Sequence, residues 1–333
     1  MAGRLKIKED KPKVVVVGSS NMDLVVKSKR IPAVGETILG GNFIMTLGGK
    51  GANQAVAAAK LGAQVFFVAK LGRDVFAEQS LANFKKEGVN TRYVVQTKEA
   101  PSGVALIMVD EKGNNSIVVA PGANQKLSPE DVRKAESDIA SCGAVVAQLE
   151  VPAKTVELAA ELANGFKVPF ILDPAPAQKL SAELLEMVDV LTPNETEAQI
   201  LTDIVVTDED SPSGVTKTAH TAAENLLSSG VKAVILTMGA KGFLLATKNQ
   251  TEFVPAIKVD AVDATAAGDA FTGALAFGLA QGQELFEAAL FANCVAALSV
   301  TKMGAQSSMP TKQEVESFTR QEKLYQEETN GSI

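Results

Sequence analysis

One carboxylate, Asp269, stands in a sequence setting that suits phosphate chemistry. The small residues of 263–268 precede it, and an almost wholly apolar stretch, 270–280, follows it and is predicted to be a buried helix. The first turn of a helix has unpaired N–H groups and the positive end of the dipole, which attract a phosphoryl group. Asp269 could instead merely favour that dipole. A second carboxylate, Asp263, and the small side chains between the two favour space for a phosphate.

Other phosphate and ion motifs fail. The segment 48–51 (GGKG) resembles a nucleotide loop, but a Walker A loop needs glycine and Ser or Thr where the sequence has Ile44 and Gly51. The dinucleotide pattern G-x-G-x-x-G fails as well, because Gln54 stands in place of its third glycine. Asp208 does not begin a calcium loop, because the twelfth position is Ala219 instead of Glu. A solvated acidic loop is the better interpretation of 208–210.

Composition excludes several other classes of protein. His220 is the single histidine, which rules out most zinc sites and Ser-His-Asp catalysis. Cys142 and Cys294 form neither a disulfide framework nor a metal pattern, so they indicate a reducing compartment. The net charge is −7, the chain has no Trp, and no block of like charge could serve as a nucleic-acid arm. A generic nucleic-acid binder is therefore excluded, whereas a small anionic ligand is not.

No segment of the sequence is expected to span or enter a membrane. The longest uncharged apolar stretches near the C-terminus, 270–283 and 288–301, have 14 residues each, whereas a spanning helix needs about 20. The N-terminus is charged and lacks the apolar region of a signal peptide. These features predict a cytoplasmic protein with no membrane partner.

The elements that must position these residues alternate between strand and helix. Short apolar runs predict buried parallel strands at 14–17, 65–68, 144–149, 168–172, 188–192 and 233–236. Helical patterns cover 51–61 and 74–87, and Ser128 before Pro129 is typical of a helix start. The alternation predicts an α/β fold, with a doubly wound, mostly parallel sheet flanked by helices, as a single domain over 14–311.

Two regions interrupt this alternation. Residues 23–47 show no helical pattern, and 102–120 is predicted to be two strands, 103–109 and 116–120, joined by a turn. Strands with one polar face, inserted near the start of the sheet, predict a small second β-sheet from about 19–47 and 98–122, interpreted as a lid or dimer clasp. An amphipathic helix is expected after Thr311, and 1–13 and 328–333 are expected to be flexible tails.

Two signatures and the motifs between them give the chain a likeness to a known family. The first signature is 48–55 (GGKGANQA) and the second is 263–271 (DATAAGDAF). The other motifs are 148–150 (QLE), 173–176 (DPAP), 192–197 (TPNETE), 237–242 (TMGAKG) and 304–310 (GAQSSMP). On these residues, over about 14–311, the chain resembles the ribokinase family of sugar and nucleoside kinases. The resemblance implies the ribokinase-like fold.

The same resemblance implies a reaction and its catalytic residues. The reaction is ATP-dependent phosphorylation of D-ribose at its 5-hydroxyl, giving ribose 5-phosphate and ADP, with Mg²⁺ and K⁺ as activators. Asp269 stands where the family has its general base. Ala266, Ala267 and Gly268 would offer backbone N–H groups to the transferring phosphoryl as an anion hole. Many relatives have glycine where this chain has Ala266. The chain departs from the family motif at this residue, and the difference bears on the geometry of the loop.

A sugar site is also implied by the resemblance. Its residues, besides Asp269, are Asn21, Asp23, Gly49, Lys50, Asn53 and Glu150. Carboxylates and amides supply the acceptors and donors that a sugar with several hydroxyls needs in a dry pocket. Asn53 could instead cap a helix turn, and Lys50 could be a solvated surface lysine. Glu150 directly follows an apolar strand, and ligands bind at that carboxyl edge of open parallel sheets.

The nucleotide and ion sites follow from the resemblance in the same way. Nucleotide binding is assigned to Asn194, Thr237, Gly239, Gly242, Gly268 and Asn293. Asn194 and Glu197 would lie near Mg²⁺ and the ATP phosphates, although a capping residue and an acid at a helix start explain the pair equally well. Potassium would be held by Asp263, Thr265, Val300, Gly304 and Ser308. Such an oxygen cage would brace the anion-hole loop.

Several alternatives remain open at this point. Within the kinase class, the substrate could be 2-deoxyribose, fructose or a nucleoside. A non-catalytic sugar-binding protein on the same scaffold is a second class, which the intact Asp269 disfavours, and the failed dinucleotide pattern disfavours an NAD-dependent oxidoreductase. The exposed edges of the lid would need covering, so a homodimer through the lid is expected. The sequence does not decide between ribose and 2-deoxyribose, and it does not reveal regulation.

Overall fold

The computed structural model describes residues 11–207 and 215–320, which form one sheet of nine strands, one of four, and flanking helices. The strands are β1 (Lys13–Val17), β2 (Asn21–Lys27), β3 (Phe43–Gly48), β4 (Gln64–Leu71), β5 (Asn90–Gln96), β6 (Gly103–Val109), β7 (Asn115–Ala120), β8 (Ala144–Gln148), β9 (Phe170–Asp173), β10 (Val190–Leu191), β11 (Ala233–Thr237), β12 (Gly242–Thr247) and β13 (Thr251–Pro255).

The helices lie between these strands and after them. They are α1 (Lys50–Lys60), α2 (Val75–Lys86), α3 (Pro129–Arg133), α4 (Glu136–Ile139), α5 (Ala153–Phe166), α6 (Ala182–Glu186), α7 (Glu195–Thr202), α8 (Lys217–Ser228), α9 (Ala267–Ala280), α10 (Leu285–Ser299) and a helix over 312–320, α11. Short 3₁₀ helices cover Gly122–Lys126 and Gly239–Lys241. The predicted acidic loop at 208–210 and the segments 1–10 and 328–333 lie outside the described residues. Lys13, expected in the N-terminal tail, is the first residue of β1.

The large sheet has the strand order β13-β12-β11-β10-β9-β8-β1-β4-β5. All pairs from β11 to β5 are parallel, and β12 and β13 add an antiparallel edge. The predicted α/β fold with a mostly parallel sheet is therefore confirmed. The chain winds outward from β1 in both directions, so the order reverses between β1 and β8. The crevice at the carboxyl ends of such a pair is where open α/β sheets bind ligands.

The core has two layers because the central strands are buried on both faces. In β1, Val15 and Val17 face one apolar cluster with α5 and α8, while Val14 and Val16 face another with α1, α9 and α10. The period of two explains this division, since successive side chains point to opposite faces of a sheet. The continuous valine run is thus the signature of a strand covered on both sides.

Helix α9 lies deep in the second layer, as its apolar sequence predicts. It begins at Ala267, three residues before the start expected from the apolar run. Gly273 allows α9 to approach α1 closely: a Cβ atom there would lie 2.7 Å from the Cβ of Ala57 and 2.7 Å from the carbonyl oxygen of Gln54. This close approach sets the distance between Asp269 on α9 and the polar residues of α1.

The small sheet has the order β3-β2-β6-β7. The predicted hairpin over 103–120 is present as β6 and β7, and residues 23–47 contribute the strand pair β2 and β3. Its central pair, β2 and β6, is parallel. Large apolar side chains of this sheet are exposed at Phe43, Ile44, Met45, Leu106, Ile117, Val118 and Val119. The interpretation as a lid stays a prediction.

Sequence and structure also differ in strands of the large sheet. The strand expected over 188–192 is reduced to the two residues of β10, whose pairing continues beyond it only as single bonds, such as that from the Thr192 N–H to the Leu172 oxygen. The antiparallel edge of β12 and β13 was not expected. β12 is buried over Gly242–Ala246 and fits the buried-run pattern used for the other strands, whereas no residue of β13, at the margin of the sheet, is fully buried, so that pattern does not apply to it.

We expect Gly273→Ala to lower the free energy of unfolding by about 1–3 kcal/mol, because the added methyl group must push α9 away from α1. Gly165→Ala is the matched control: Gly165 also lies in a helix, but a Cβ atom there would meet no atom within 4 Å. That change should stabilise the helix by up to about 1 kcal/mol. Urea unfolding of both variants measures the difference, and equal stabilities would contradict the close-approach argument.

Candidate active site

Asp269 lies in the first turn of α9 and is the centre of a buried hydrogen-bonded cluster. Its Oδ2 accepts a hydrogen bond from the Nδ2 of Asn53 at 2.8 Å, and its Oδ1 accepts one from the Nε2 of Gln54 at 2.9 Å. Both donors come from α1, which the close contact at Gly273 holds against α9. Asn53 therefore binds the predicted base instead of capping a helix turn. Its own Oδ1 is buried and has no partner among the described residues.

The amides beside Asp269 are arranged as an anion site requires. Ala266 precedes α9 with a φ of 60°, the left-handed conformation that favours glycine. The Ala267 N–H donates to the carbonyl of Ala264 at 3.2 Å. The N–H groups of Ala266, Gly268 and Asp269 have no acceptor among the described residues. Ala266 therefore adopts the conformation that glycine favours, and most of the predicted anion-hole amides have no acceptor among the described residues.

Glu150 is held beside the start of α1, at the crevice between β1 and β8. One of its carboxylate oxygens accepts a short hydrogen bond from the hydroxyl of Ser19 and another, of 3.0 Å, from the Lys50 N–H. Gly49, the residue before α1, has a φ of 88°. These contacts join the segment after β1, the GGKG turn and the segment after β8 at one point, as expected for ligand-binding residues at a carboxyl edge.

Asn21 and Asp23 enter the site from β2 of the small sheet. The Oδ1 of Asn21 accepts a hydrogen bond from the Nδ2 of Asn124 at 2.7 Å, which does not use the amide N–H groups of Asn21. Asp23 pairs with Thr46 across the β2–β3 ladder and lies against Gly48, where a Cβ atom would come within 2.1 Å of Asp23 Oδ2. The glycine is thus required for the carboxylate to occupy its place.

Burial, with charge repulsion added to it, dominates the electrostatics of this cluster. Burial, together with the charges of Glu150 and Asp269, raises the pKa of Asp23 to about 7. Burial likewise raises the pKa of Asp173, and Asp269 and Glu197 raise it further, although Lys50 opposes this shift. Several carboxyl groups share a dry space, so not all of them are ionised at once.

Lys50 is the cation that the cluster holds. Burial alone would lower its pKa, but the combined charges of Asp173, Asp269, Glu150 and Glu197 outweigh burial and raise it. The ammonium group therefore stays charged throughout the physiological range. Lys50 is half-buried among carboxylates, in contrast to the solvated surface lysine that the sequence left open.

The predicted nucleotide residues lie along the carboxyl ends of β10 and β11. Asn194 and Glu197 form a capping box on α7, in which each side chain accepts the other's backbone N–H at 2.8 Å. Asn194 also forms an isolated parallel bridge with Thr237. Gly239 lies in the 3₁₀ turn after β11, and Gly242, with a φ of 120°, begins β12. Capping and a role near phosphates are compatible, because the capping bonds do not use every lone pair of Glu197.

Asn293 is separate from this group. Its Nδ2 donates a hydrogen bond of 3.0 Å to the carbonyl oxygen of Pro255, which ties α10 to the end of β13. The described residues provide no hydrogen bond from Asn293 to the other nucleotide candidates. The assignment of Asn293 to adenine binding remains a prediction.

Asp263 is hydrogen-bonded to three other residues of the predicted potassium site, Thr265, Val300 and Gly304. Its carboxylate accepts the N–H groups of Thr265 at 2.9 Å and Gly304 at 2.8 Å, and its own N–H donates to the Val300 carbonyl at 3.1 Å. Burial would raise the pKa of Asp263, but these hydrogen bonds outweigh burial and lower it, so the carboxylate is ionised. Ser308 follows Gly304 by four residues and is fully buried. Its hydroxyl donates a hydrogen bond of 2.8 Å to the carbonyl oxygen of Ala305.

The types of donor predicted for this site suit a monovalent cation. One carboxylate with backbone carbonyls and a hydroxyl is an all-oxygen, singly charged ligand set, which fits a hard cation of low charge. A metal site formed by side chains alone is a different case. Within 11–207 and 215–320, no group of three or more His, Cys, Asp or Glu residues is placed to hold an ion. Nor does that part of the chain contain a helix long and apolar enough to cross a membrane.

Sequence reasoning missed four polar residues that the structure brings into the cluster. These are Ser19, which binds Glu150, and Gln54, Gln148 and Asp173, which are linked to one another. Gln54, Gln148 and Asp173 belong to the motif segments GGKGANQA, QLE and DPAP, so their positions carried a signal. Their roles were missed because the hydrogen bonds that join them span 94 to 119 residues of sequence.

Comparison with known proteins gives a family and several relatives for this chain. The family described as pfkB family carbohydrate kinase matches residues 11–312. A ribokinase of Haemophilus influenzae is 43% identical over 305 residues, covering 92% of this chain and 97% of that protein. A deoxyribokinase of Salmonella typhi is 41% identical over 299 residues, covering 90% and 95%. The solved structure of Arabidopsis thaliana ribokinase complexed with ribose and ATP superposes with a TM-score of 0.83 at 34% identity, covering 92% and 98%.

The raised pKa of Asp23 predicts a pH-dependent stability. Folded Asp23 keeps its proton up to about pH 7, whereas the unfolded side chain releases it near 3.8, so folding becomes less favourable as pH rises between these values. We expect Asp23→Asn to remove this loss. The variant should gain stability relative to the native chain from pH 4 to 7, with a constant difference above that.

Thermal melting at several pH values measures this difference. Asp203→Asn is the control, because Asp203 is an exposed carboxylate paired only at the surface with Lys179. A difference between native and Asp23→Asn proteins that does not change with pH would contradict a proton held by folded Asp23.

Proposed function

This chain belongs to the pfkB family of carbohydrate kinases, and we propose that it transfers the γ-phosphoryl group of ATP to the 5-hydroxyl of D-ribose, giving ribose 5-phosphate and ADP. The observation that carries the proposal is Asp269, buried at the first turn of α9 beside free backbone amides. The Haemophilus influenzae relative is a ribokinase, and the Arabidopsis thaliana ribokinase was solved with ribose and ATP. A carboxylate beside an anion site is what transfer to an alcohol requires.

In the proposed mechanism, Asp269 is the general base. Its carboxylate accepts the proton of the 5-hydroxyl as that oxygen attacks the γ-phosphorus, and the bond from phosphorus to the bridging oxygen breaks to release ADP. The free N–H groups of Ala266 and Gly268 stabilise the charge on the transferring group, with a smaller share from Ala267. Asn53 keeps one carboxylate oxygen oriented. Little covalent chemistry falls to the protein, which acts by alignment and charge.

Sugar binding is proposed for the carboxylates and amides around that base. Asn21, Asp23 and Glu150 offer acceptors and amide donors to sugar hydroxyls, and Gly49, Lys50 and Asn53 of the GGKGAN turn complete the site. Because burial and repulsion keep the proton on Asp23 at near-neutral pH, that group can also donate a hydrogen bond. A site of this kind rejects a sugar that lacks one of the hydroxyls, because that sugar leaves buried polar groups of the site unpaired.

Nucleotide and magnesium binding is proposed for the next strands along the sheet edge. Thr237, Gly239 and Gly242 would contact the nucleotide together with Asn194, Gly268 and Asn293. Magnesium bound with the ATP phosphates neutralises charge during transfer. Asn194 and Glu197 would hold it through their remaining oxygen lone pairs, in keeping with an ion bound mainly by phosphates and water.

A homodimer through the small sheet and a cytoplasmic location belong to the same proposal. Exposed apolar residues of β3, β6 and β7 support the dimer, because open sheet edges and apolar patches are usually covered. In this interpretation the small sheet is a lid that closes over the sugar and excludes water from the reaction. Sedimentation of a monomer at micromolar concentration would contradict the dimer.

A second substrate, 2-deoxyribose, has a specific observation in its favour. The Salmonella typhi deoxyribokinase is 41% identical to this chain, close to the 43% of the Haemophilus influenzae ribokinase. The two sugars differ by one hydroxyl, so one site residue could decide between them. Fructose and nucleosides belong in the same comparison, as alternatives within the kinase class.

The proposal predicts that ADP release, measured in a coupled assay over a panel of pentoses, hexoses and nucleosides, is fastest with D-ribose. Asp269→Asn should lower kcat by about 10²- to 10⁴-fold, the usual contribution of a positioned base, with the fold intact. Turnover close to the native value in that variant would remove Asp269 from the mechanism. Sugar binding without turnover in the native chain would instead favour the non-catalytic protein.

Potassium should activate the reaction. The Asp263 carboxylate ties 263–265 to 304 just before the anion-hole residues, so a cation bound there braces the loop that precedes α9. We expect a higher kcat in K⁺ than in Na⁺ at equal ionic strength, and the loss of that difference in Asp263→Ala. Equal rates of the native chain in both salts would contradict a cation site.

A further inference from the structure

Gln54 occupies an unusual position between two buried carboxyl groups. Its Nε2 donates one hydrogen bond of 2.9 Å to Asp269 Oδ1 and another of 2.7 Å to Asp173 Oδ2. Both protons of the side-chain amide are thus committed to carboxyl oxygens. Gln54 itself is fully buried, and Asp173 and Asp269 are nearly so.

A second glutamine fixes the orientation of the first. The Nε2 of Gln148 donates a hydrogen bond of 2.6 Å to the Oε1 of Gln54. The carbonyl end of Gln54 must therefore face β8, and its NH₂ end must face the two carboxyl groups. The Oε1 of Gln148 has no hydrogen-bond partner among the described residues. No other bond of that side chain therefore competes with the one to Gln54. The result is a chain of amides that runs from Gln148 through Gln54 to both acids.

We propose that Gln54 is a positioning residue for the phosphoryl transfer, which holds the Asp269 carboxylate towards the sugar hydroxyl and ties it to Asp173 through one shared amide group. Gln148 supports it by keeping the amide in the productive orientation. This inference rests on the proposed role of Asp269 as the general base. It gives roles to Gln54, Gln148 and Asp173, to which neither the sequence motifs nor the comparisons gave one.

The chemistry of the arrangement explains why an amide is suited to this place. Two carboxylates that share one NH₂ group repel each other, and burial adds to the cost of the second charge. Both effects raise the pKa of Asp173, so that it is the member that takes up a proton. Asp269 then has no second negative charge at Asp173 beside it, and its two oxygens keep the donors of Asn53 and Gln54. Gln54 supplies donors to it without adding a positive charge that would weaken it as a base.

Charged groups from every neighbouring element act on this pair. They are Asp23 on β2, Lys50 on α1, Glu150 after β8 and Glu197 on α7. None of them forms a hydrogen bond with Asp269 among the described residues, whereas Gln54 and Asn53 do. Removing Gln54 therefore changes the local support of Asp269 and leaves these more distant charges in place.

Gln54→Met tests the proposal, because methionine fills a similar volume and has no N–H group. We expect kcat to fall about tenfold, the effect of one hydrogen bond to a charged group, with KM for ribose and ATP within about twofold. Loss of the donor disfavours the ionised carboxylate, so the acidic limb of the kcat profile should move to higher pH by about one unit. Gln148→Leu should show the same changes at smaller size.

Thr155→Val is the matched control, since Thr155 is also fully buried and its hydroxyl makes one hydrogen bond, to the Leu127 oxygen, away from the site. It should lose stability but keep kcat and the pH profile. A kcat loss in Gln54→Met without a shift of the acidic limb, as in a purely structural defect, would overturn the proposal. A Gln54→Met variant with the native kcat and the native pH profile would also overturn it. If Gln54→Met does not fold, Gln148→Leu decides by the same two readouts.

These results also separate the present inference from the proposed function. If Asp269→Asn loses activity while Gln54→Met and Gln148→Leu keep the native profile, the positioning role fails and the kinase mechanism stands. If the native chain phosphorylates no sugar, or if Asp269→Asn is fully active, the proposed function fails and the positioning role fails with it.

Discussion

The central constraint on this molecule is the burial of several carboxyl groups in one small space. Asp23, Glu150, Asp173 and Asp269 come from four separate parts of the chain and meet around the half-buried Lys50. Such a cluster is unfavourable unless every member has donors or a proton. The structure meets this condition in three ways: backbone and hydroxyl donors at Glu150, amide side chains at Asp269, and raised pKa values at Asp23 and Asp173.

The fold brings these groups together because they all lie near one edge of the central sheet. Ser19 follows β1, Glu150 follows β8 and Asp173 ends β9, while α1 and α9 bring Gln54 and Asp269 to the same edge. The contact at Gly273 joins those two helices. The packing of an apolar layer and the geometry of a polar site therefore depend on the same close approach, so the core and the chemistry of this protein are not separable.

The sequence predicted the architecture well because the signals for it are local. Four valines in a row, an apolar helix after small residues and a turn between two strands each specify their own structure, and β1, α9 and the β6–β7 hairpin are present within three residues of their expected starts. The residues grouped around Asp269 came mainly from resemblance to a family. The pairing of Gln54 with Asp173 did not follow from either source, because such a contact exists only after distant strands have paired.

The choice of glutamine between Asp173 and Asp269 can be argued from the alternatives. A lysine or arginine there would balance the charge of the acids, but its positive charge would make the Asp269 carboxylate a weaker base. A leucine would leave two buried carboxyl groups with fewer donors, at a cost of several kcal/mol if both were charged. An amide donates twice and carries no charge, so it lowers the cost of burial while leaving the base reactive. Gln148 is then needed because a side-chain amide has two ends, and only one of them can face an acid.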